Sequence, residues 1–265
     1  ATGSTLAYTE NQAATAINTA ITVADVDNTT LASATVQMTG NYSSAEDVLA
    51  FTNVGMGNIA GVWNSGTGAM TLTSAGATAT VAEWQAALRA VTYANSSDNP
   101  SVAARTVSFT VQDGAVGSNT VTSTVNVTAV NDAPTLTNLA GDALSYAEGD
   151  GAVVIEQGGN ATVADLDSAD FSGGVLTVSL VSGSDSAEDV LAVRNQGTGA
   201  GQIGVSGFDV TYGGVTIGSF VGGSGGADLV IAFNASATPA AAQALVRNIS
   251  YQNTDTDAPT TGART

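Results

Sequence analysis

The sequence predicts an all-β protein built as two tandem β-sandwich domains, residues 1–132 and 133–265, each with one short helix. Three observations carry this. Apolar residues alternate with Thr and Ser at period two, as in "RTVSFTVQ" (105–112) and "VTSTVNVT" (121–128), which is the spacing of half-buried strands. Gly, Asn and Asp break the strand-like runs into the short lengths of a sandwich. The chain also repeats itself, in order. "ITVADVDN" (21–28) returns as "ATVADLDS" (161–168), and "SSAEDVLAFTN" (43–53) as "DSAEDVLAVRN" (185–195). "WQAALRAVTYAN" (84–95) returns as "AQALVRNISYQN" (242–253), and "AART" (103–106) as "GART" (262–265). Four collinear matches make two copies of one domain.

The offset between copies rises from 142 residues at "AEDVL" to 158 at the "ALR/LVR" segment. Copy 2 therefore holds an insertion of about sixteen residues, assigned to "DVTYGGVTIGSFVGGSGGADLVIAF" (209–233), a Gly-rich hairpin plus a strand. "GGSGGAD" (222–228) has the Gly content of a calcium-binding β-roll repeat, but its Asp is out of place and it stands alone, so a flexible turn is expected. "TVAEWQAALRAV" (80–91) and "TPAAAQALVRNI" (238–249) are the predicted helices. Thr80 and Thr238 are capping residues, Pro239 suits the first helical position, and Trp84 and Leu88 should face the core. After "AART" copy 1 continues into a final hairpin, which copy 2 lacks. Copy 2 should then have an apolar groove and open sheet edges, filled either by a continuing parent chain or by strands from a neighbouring molecule, as in strand addition.

Composition narrows function. The 265 residues hold 23 Asp and Glu against 5 Arg, no Lys, no His and no Cys, for a net charge of −18. No basic patch exists to bind nucleic acid or an anionic membrane, and no run is long and apolar enough for direct membrane insertion. The usual zinc, copper and haem ligands are missing, and a Ser or Thr nucleophile would lack its His or Lys base. An enzyme is not expected. Hard cations that take carboxylate and carbonyl oxygen are the expected partners. An acidic, thiol-free, Thr/Ser/Gly/Asn-rich chain suits an extracellular bacterial protein.

The acidic residues recur at matched places. Glu10 precedes Asp25-x-Asp27 in copy 1, followed by Asp98, Asp113-Gly114 and Asn131-Asp132. In copy 2, Glu148 precedes Asp165-x-Asp167, and Asp255 and Asp257 lie where Asp98 lay. A lone Asp-x-Asp in a loop is ordinarily an Asx turn. Its repetition with Glu10 and Glu148 favours a metal role. Glu46-Asp47 and Glu188-Asp189 are read equally well as turn or edge charges, and Asp170 and Asp185 as solvated.

"YTEN", "VADVDN", "VSFTVQDG" and "VNDAP" come in the order of the Glu-Asn, Asp-x-Asp, Asp-x-Gly and Asn-Asp-x-Ala-Pro elements of a cadherin repeat. The whole chain resembles the cadherin-like and immunoglobulin-like tandem repeats of giant bacterial surface adhesins. That resemblance implies Ca²⁺ as cofactor, shared between successive repeats. Glu10, Asn131, Asp132, Asp165 and Asp167, with Asp98, would meet at the joint. Asp25, Asp27 and Asp113 would face a preceding repeat, and Glu148 with Asp255 or Asp257 a following one. The linker is one residue shorter than the family's and has Ala129 in place of an Asp, so one or two ions are expected there.

The function expected from these readings is a Ca²⁺-stiffened extracellular spacer whose partners are adjacent repeats of a larger chain. Two alternatives remain open: a glycan- or protein-binding module using the copy-2 insertion, and a self-assembling filament or sheath subunit joined by strand complementation at the copy-2 edge.

Overall fold

The computed structural model describes residues 3–265; the chain divides into two compact units with the boundary between Asn131 and Asp132. In both, strands are the dominant regular structure, as the sequence predicts.

The first unit contains β1 (Thr5–Thr9), β2 (Thr15–Ala16), β3 (Ser33–Gly40), β4 (Asp47–Ala50), β5 (Ile59–Asn64), β6 (Ala69–Ser74), helix α1 (Val81–Arg89), β7 (Thr92–Asn95), β8 (Arg105–Gln112) and β9 (Val121–Thr128). One sheet runs β1-β9-β8-β3-β6-β5, and a second runs β2-β7-β4. The pairs are antiparallel except β1 with β9, where Leu6 lies opposite Val125 in a parallel ladder that joins the first strand to the last. Alternate residues of both sheets supply one core: Val36, Leu72, Val107, Phe109 and Val125 from the larger sheet, Leu49 and Tyr93 from the smaller, all buried. Period-two patterning thus becomes two inward faces, the arrangement of a sandwich.

Helix α1 closes one side. Thr80 Oγ1 accepts from the Glu83 N–H at 3.3 Å, and the Thr80 N–H donates to Glu83 Oε2 at 2.7 Å. This reciprocal box satisfies two helix-terminal donors. Trp84, Ala87 and Leu88 are buried on one helix face, and Trp84 Nε1 donates to Leu31 O at 3.0 Å.

The second unit contains β10 (Thr135–Thr137), β11 (Val153–Val154), β12 (Thr162–Ala164), β13 (Val175–Val178), β14 (Asp189–Val193), β15 (Ile203–Ser206), β16 (Asp209–Tyr212), β17 (Val215–Gly222), β18 (Leu229–Phe233), helix α2 (Pro239–Val246) and β19 (Ile249–Asn253). Its sheets are β13-β18-β17-β16-β15, β11-β19-β14 and β10-β12.

Repeated contacts tie repeated sequence to repeated structure. Arg89 Nε donates to Ile21 O, and Arg247 Nε to Ala161 O, both at 2.8 Å. Gln85 Oε1 accepts from the Val23 N–H and Gln243 Oε1 from the Val163 N–H. Tyr8 packs edge-on to Tyr93, and Tyr146 to Tyr251, each with ring centroids 5.0 Å apart. Strand β17 pairs with β18 as β5 does with β6, and both pairs lead into a helix. The strands without a first-unit counterpart are therefore β15 and β16, at 203–212. They overlap only the start of the 209–233 window in which the sequence puts the insertion, because β17 and β18 are the ordinary pair with Gly-rich substitutions. The 222–228 turn is also tied down rather than loose. Gly223, at φ +86°, accepts from the Leu191 N–H at 2.7 Å, and a Cβ there would lie 2.2 Å from Leu191 O. Only glycine fits.

Candidate functional site

The Asp-x-Asp segments fold as Asx turns. Asp25 Oδ1 accepts from the N–H groups of Asn28 (2.8 Å) and Asp27 (3.1 Å), and Asp165 Oδ1 from those of Ser168 (2.8 Å) and Asp167 (3.2 Å). Asp113 Oδ1 caps the β8–β9 turn through Val116 and Ala115, and Asp255 Oδ1 accepts from Asp257 and Ala258. Each of these carboxyls is held below the usual range, chiefly by those backbone N–H groups, which favour the charged form. The turn reading of these positions is thus realised: Asp113, Asp165 and Asp255 follow the ends of β8, β12 and β19, and Asp25 lies in the loop between β2 and β3.

The first unit places its acidic residues at two ends. Asn28 Nδ2 lies 3.3 Å from Asp113 Oδ2 and 3.5 Å from Asp27 Oδ1, so Asp25, Asp27 and Asp113 gather around one asparagine. Glu10 sits elsewhere: its N–H bonds Thr128 O at the far end of β9, seven residues along from Val121. At roughly 3.3 Å per residue the two ends of β9 are about 23 Å apart. Beside Glu10, Asn11 Nδ2 donates to Asp98 Oδ1 at 3.0 Å. Glu10 is only 6% exposed, and its Oε2 is fully buried with no hydrogen-bond partner. Asn131 is exposed at the unit's last position.

In the second unit the Asp132 N–H donates to Asp167 Oδ2 at 3.1 Å, which brings Asp132 to the Asp165-x-Asp167 turn. Asp167 Oδ1 is buried and lacks a hydrogen-bond partner. Asp255 and Asp257 line an open polar pocket of about 460 Å³ with Asp185 and Glu188. Glu148 is exposed in the turn before Asp150. Among the described residues no group of three or more Asp or Glu converges closely enough to hold a metal ion.

Two buried acceptor atoms nevertheless bear on calcium. An unpaired carboxylate oxygen out of water costs far more than a paired one, and an ordered water or a divalent cation offsets that cost. Glu10 and Asp167 therefore fit an oxygen-ligated hard cation.

The residues that sequence reasoning undervalued are Glu46, Asp47, Glu188 and Asp189. Glu46 and Glu188 do lie in turns and Asp47 and Asp189 at the start of edge strands β4 and β14, but all four are buried rather than set at the surface. Fully buried Arg105 sets its Nε 3.2 and 3.3 Å from the two Asp47 oxygens and its Nη2 3.0 Å from Glu46 Oε1. Its Nη1 reaches Ala103 O at 2.9 Å and also Ser101 O. Tyr93 and Asn95 add donors to Asp47 Oδ1 at 2.6 and 3.1 Å. The second unit repeats this centre. Arg264 Nε lies 3.0 Å from Asp189 Oδ2, Tyr251 donates to Asp189 Oδ1 at 2.5 Å, and Asn253 does so at 3.3 Å. Burial works to raise the Asp189 pKa, but the Arg264 and Tyr251 hydrogen bonds outweigh it and hold the carboxyl low. Burial, then the Asp189 contact, pushes Tyr251 up to about 12. Asp185, expected to be solvated, accepts from Thr260 Oγ1 at 2.9 Å. The signal was present: "AEDVL", "Y-x-N" and "A-R-T" recur together in both copies, so a buried charge trio was readable as one unit.

No family model matches the chain, and no curated protein or solved structure matches it. Among the described residues no helix is long and apolar enough to cross a membrane.

Proposed function

We propose that this chain is a non-enzymatic spacer: tandem repeats of a larger bacterial surface or matrix protein, extracellular, with Ca²⁺ stiffening successive repeats. The observation carrying the reading is the buried, unpartnered Oε2 of Glu10, reinforced by the second such atom on Asp167. Both occur at positions where the repeat places acidic residues. Supporting it is the net charge of −18, self-repulsion that divalent cations relieve. Isothermal titration of the full chain with CaCl₂ tests it. Saturable binding is expected, weakened at least tenfold by Glu10→Gln or Asp167→Asn while the fold, read by circular dichroism, is kept. Heat of dilution only, in both parent and variants, contradicts it.

One observation favours a second reading, a glycan- or protein-binding module. Phe208, in the turn joining the two extra strands, is 73% exposed and packs edge-on to Phe220 with centroids 6.1 Å apart. Exposed aromatic surface of this kind marks interaction sites. Phe208→Ser should abolish surface adhesion if that loop binds, and leave it unchanged if the chain only spans distance.

A further inference from the structure

Strand β5 ends the six-stranded sheet of the first unit: β6 pairs with it on one side, and among the described residues no strand lies on the other. The equivalent place in the second unit is filled. There β17 takes the part of β5, and β16 and β15 continue the sheet beyond it. The last strand of that extension is itself closed off. The Gln196 N–H donates to Ile203 O at 2.7 Å, Gln196 Oε1 accepts from the Ile203 N–H at 3.0 Å, and Asn195 Oδ1 accepts from the Val205 N–H at 3.3 Å. The β5 edge belongs to the interior of the chain, between β4 and β6, so neither terminus creates it.

The direction of the edge groups follows from the pairing. The Ile59 N–H donates to Met56 O at 3.4 Å, and Ile59 O accepts from Asn53 Nδ2 at 2.8 Å, so the main-chain groups of Ile59 point away from β6. Alternation along an antiparallel strand turns those of Gly61 and Trp63 the same way, to a side where no strand meets them. Open edges are ordinarily blunted by charge, proline or a bulge. "IAGVWN" has no charge and no proline, and its ladder to β6 runs from Ile59 to Asn64 without a shift. The neutrality extends further: from Val48 to Ala82 no residue is charged, in a chain of net charge −18. Val62 is 68% exposed. Trp63 is half-buried on the core face of the strand, edge-on to Tyr42.

We propose that the β5 edge is a homodimerisation surface, where it pairs antiparallel with β5 of a second copy of this chain. Two features commit it to that occupant. Chains of charge −18 repel one another, so a second copy approaches most readily along uncharged surface, and the β5 edge supplies it on both sides. The sequence of the edge is also complementary to itself. With a two-fold axis at Val62, Gly61 of each copy lies opposite Trp63 of the other, and these outward-facing residues exchange both main-chain bonds. The two Val62 side chains then meet directly on the outer face, as a non-hydrogen-bonded pair about 4.5 Å apart between Cα atoms. On the core face each Trp63 lies across from a glycine, the pairing by which an aromatic ring covers an edge glycine. Phe51 and Leu72, which crowd the place of a Gly61 side chain, give that ring apolar contacts. The product is one sheet continuous through two copies.

The chain has no cysteine, so disulfide trapping in the full chain reads the register, with EGTA present to keep calcium binding out of the result. Val62→Cys should give a covalent dimer on mild oxidation, because the paired Cα distance is within disulfide reach. Ala60→Cys should not, since the register sets the two Ala60 residues about 13 Å apart along the strands. In sedimentation velocity the parent should shift from monomer to dimer with rising protein concentration, and more strongly as NaCl screens the repulsion. Val62→Asp should weaken that association about tenfold or more while circular dichroism stays unchanged, and Val62→Thr should preserve it. The inference is overturned by a parent that stays monomeric at every concentration, by Ala60→Cys linking as fast as Val62→Cys, or by Val62→Asp associating as the parent does.

Discussion

Arg105 pairs with two buried acids of the first unit. Its guanidinium has no exposed surface and, among the described residues, is the only cation reaching Asp47 and Glu46. Removing one partner of a buried pair leaves the other charge uncompensated, at a cost of about 3–5 kcal/mol. Arg105→Met should therefore lower unfolding free energy by that order in a denaturant titration. Arg264→Met should cost less, because Arg264 keeps about a tenth of its side chain in water. Titration gives a second prediction. Asp25, Asp113, Asp165, Asp189, Asp255, Glu83 and Glu156 all have carboxyls held below their ordinary values. Their contribution is complete above the unfolded pKa of about 4 and is lost as pH falls through the folded values. Tyr251 acts in the opposite sense: its contribution is complete below the unfolded pKa of about 10 and is lost as pH rises towards about 12. Melting temperature against pH should form a plateau that falls at both limits. A melting temperature that rises below pH 4 would contradict the Asx-turn account. At this scale the sequence showed which acids recur but not which are buried, since burial is set by Arg105 and Arg264 arriving from 58 and 75 residues away.

Elements were more legible. Both helices lie where a capping Thr meets an Ala- and Leu-rich run, because capping is a local rule written within four residues. In helix α1 the box also needs Glu83; helix α2 relies on Thr238 Oγ1 accepting from the Ala241 N–H and on Pro239. Thr80→Ala should then cost about 1 kcal/mol, as measured by thermal unfolding, and Thr238→Ala a similar amount. A change within 0.2 kcal/mol for either would show the cap to be idle. The extra hairpin was harder to locate. A Gly-rich β17 looks like an insertion by composition, whereas its pairing with β18 identifies it as a standard strand and assigns the addition to β15 and β16. Pairing between distant segments is not a property of any window of sequence, and composition misled for that reason.

At the scale of the whole molecule, alternation and repetition together account for the all-β architecture. Each copy has the inward-facing row that a sandwich needs. The cation reading belongs to this scale as well. Carboxylates collected at strand ends across a chain with 23 acids and 5 arginines repel one another, and the folded state concentrates that repulsion. A divalent ion that binds the folded chain and not the unfolded one stabilises it by mass action, about 2.7 kcal/mol at a hundred times its Kd. Differential scanning calorimetry of the full chain in millimolar CaCl₂ against excess EGTA, at equal ionic strength, measures this directly. The account predicts a clear drop in melting temperature with EGTA, restored by calcium and not by the same concentration of NaCl. Superimposable transitions in calcium and in chelator would contradict it.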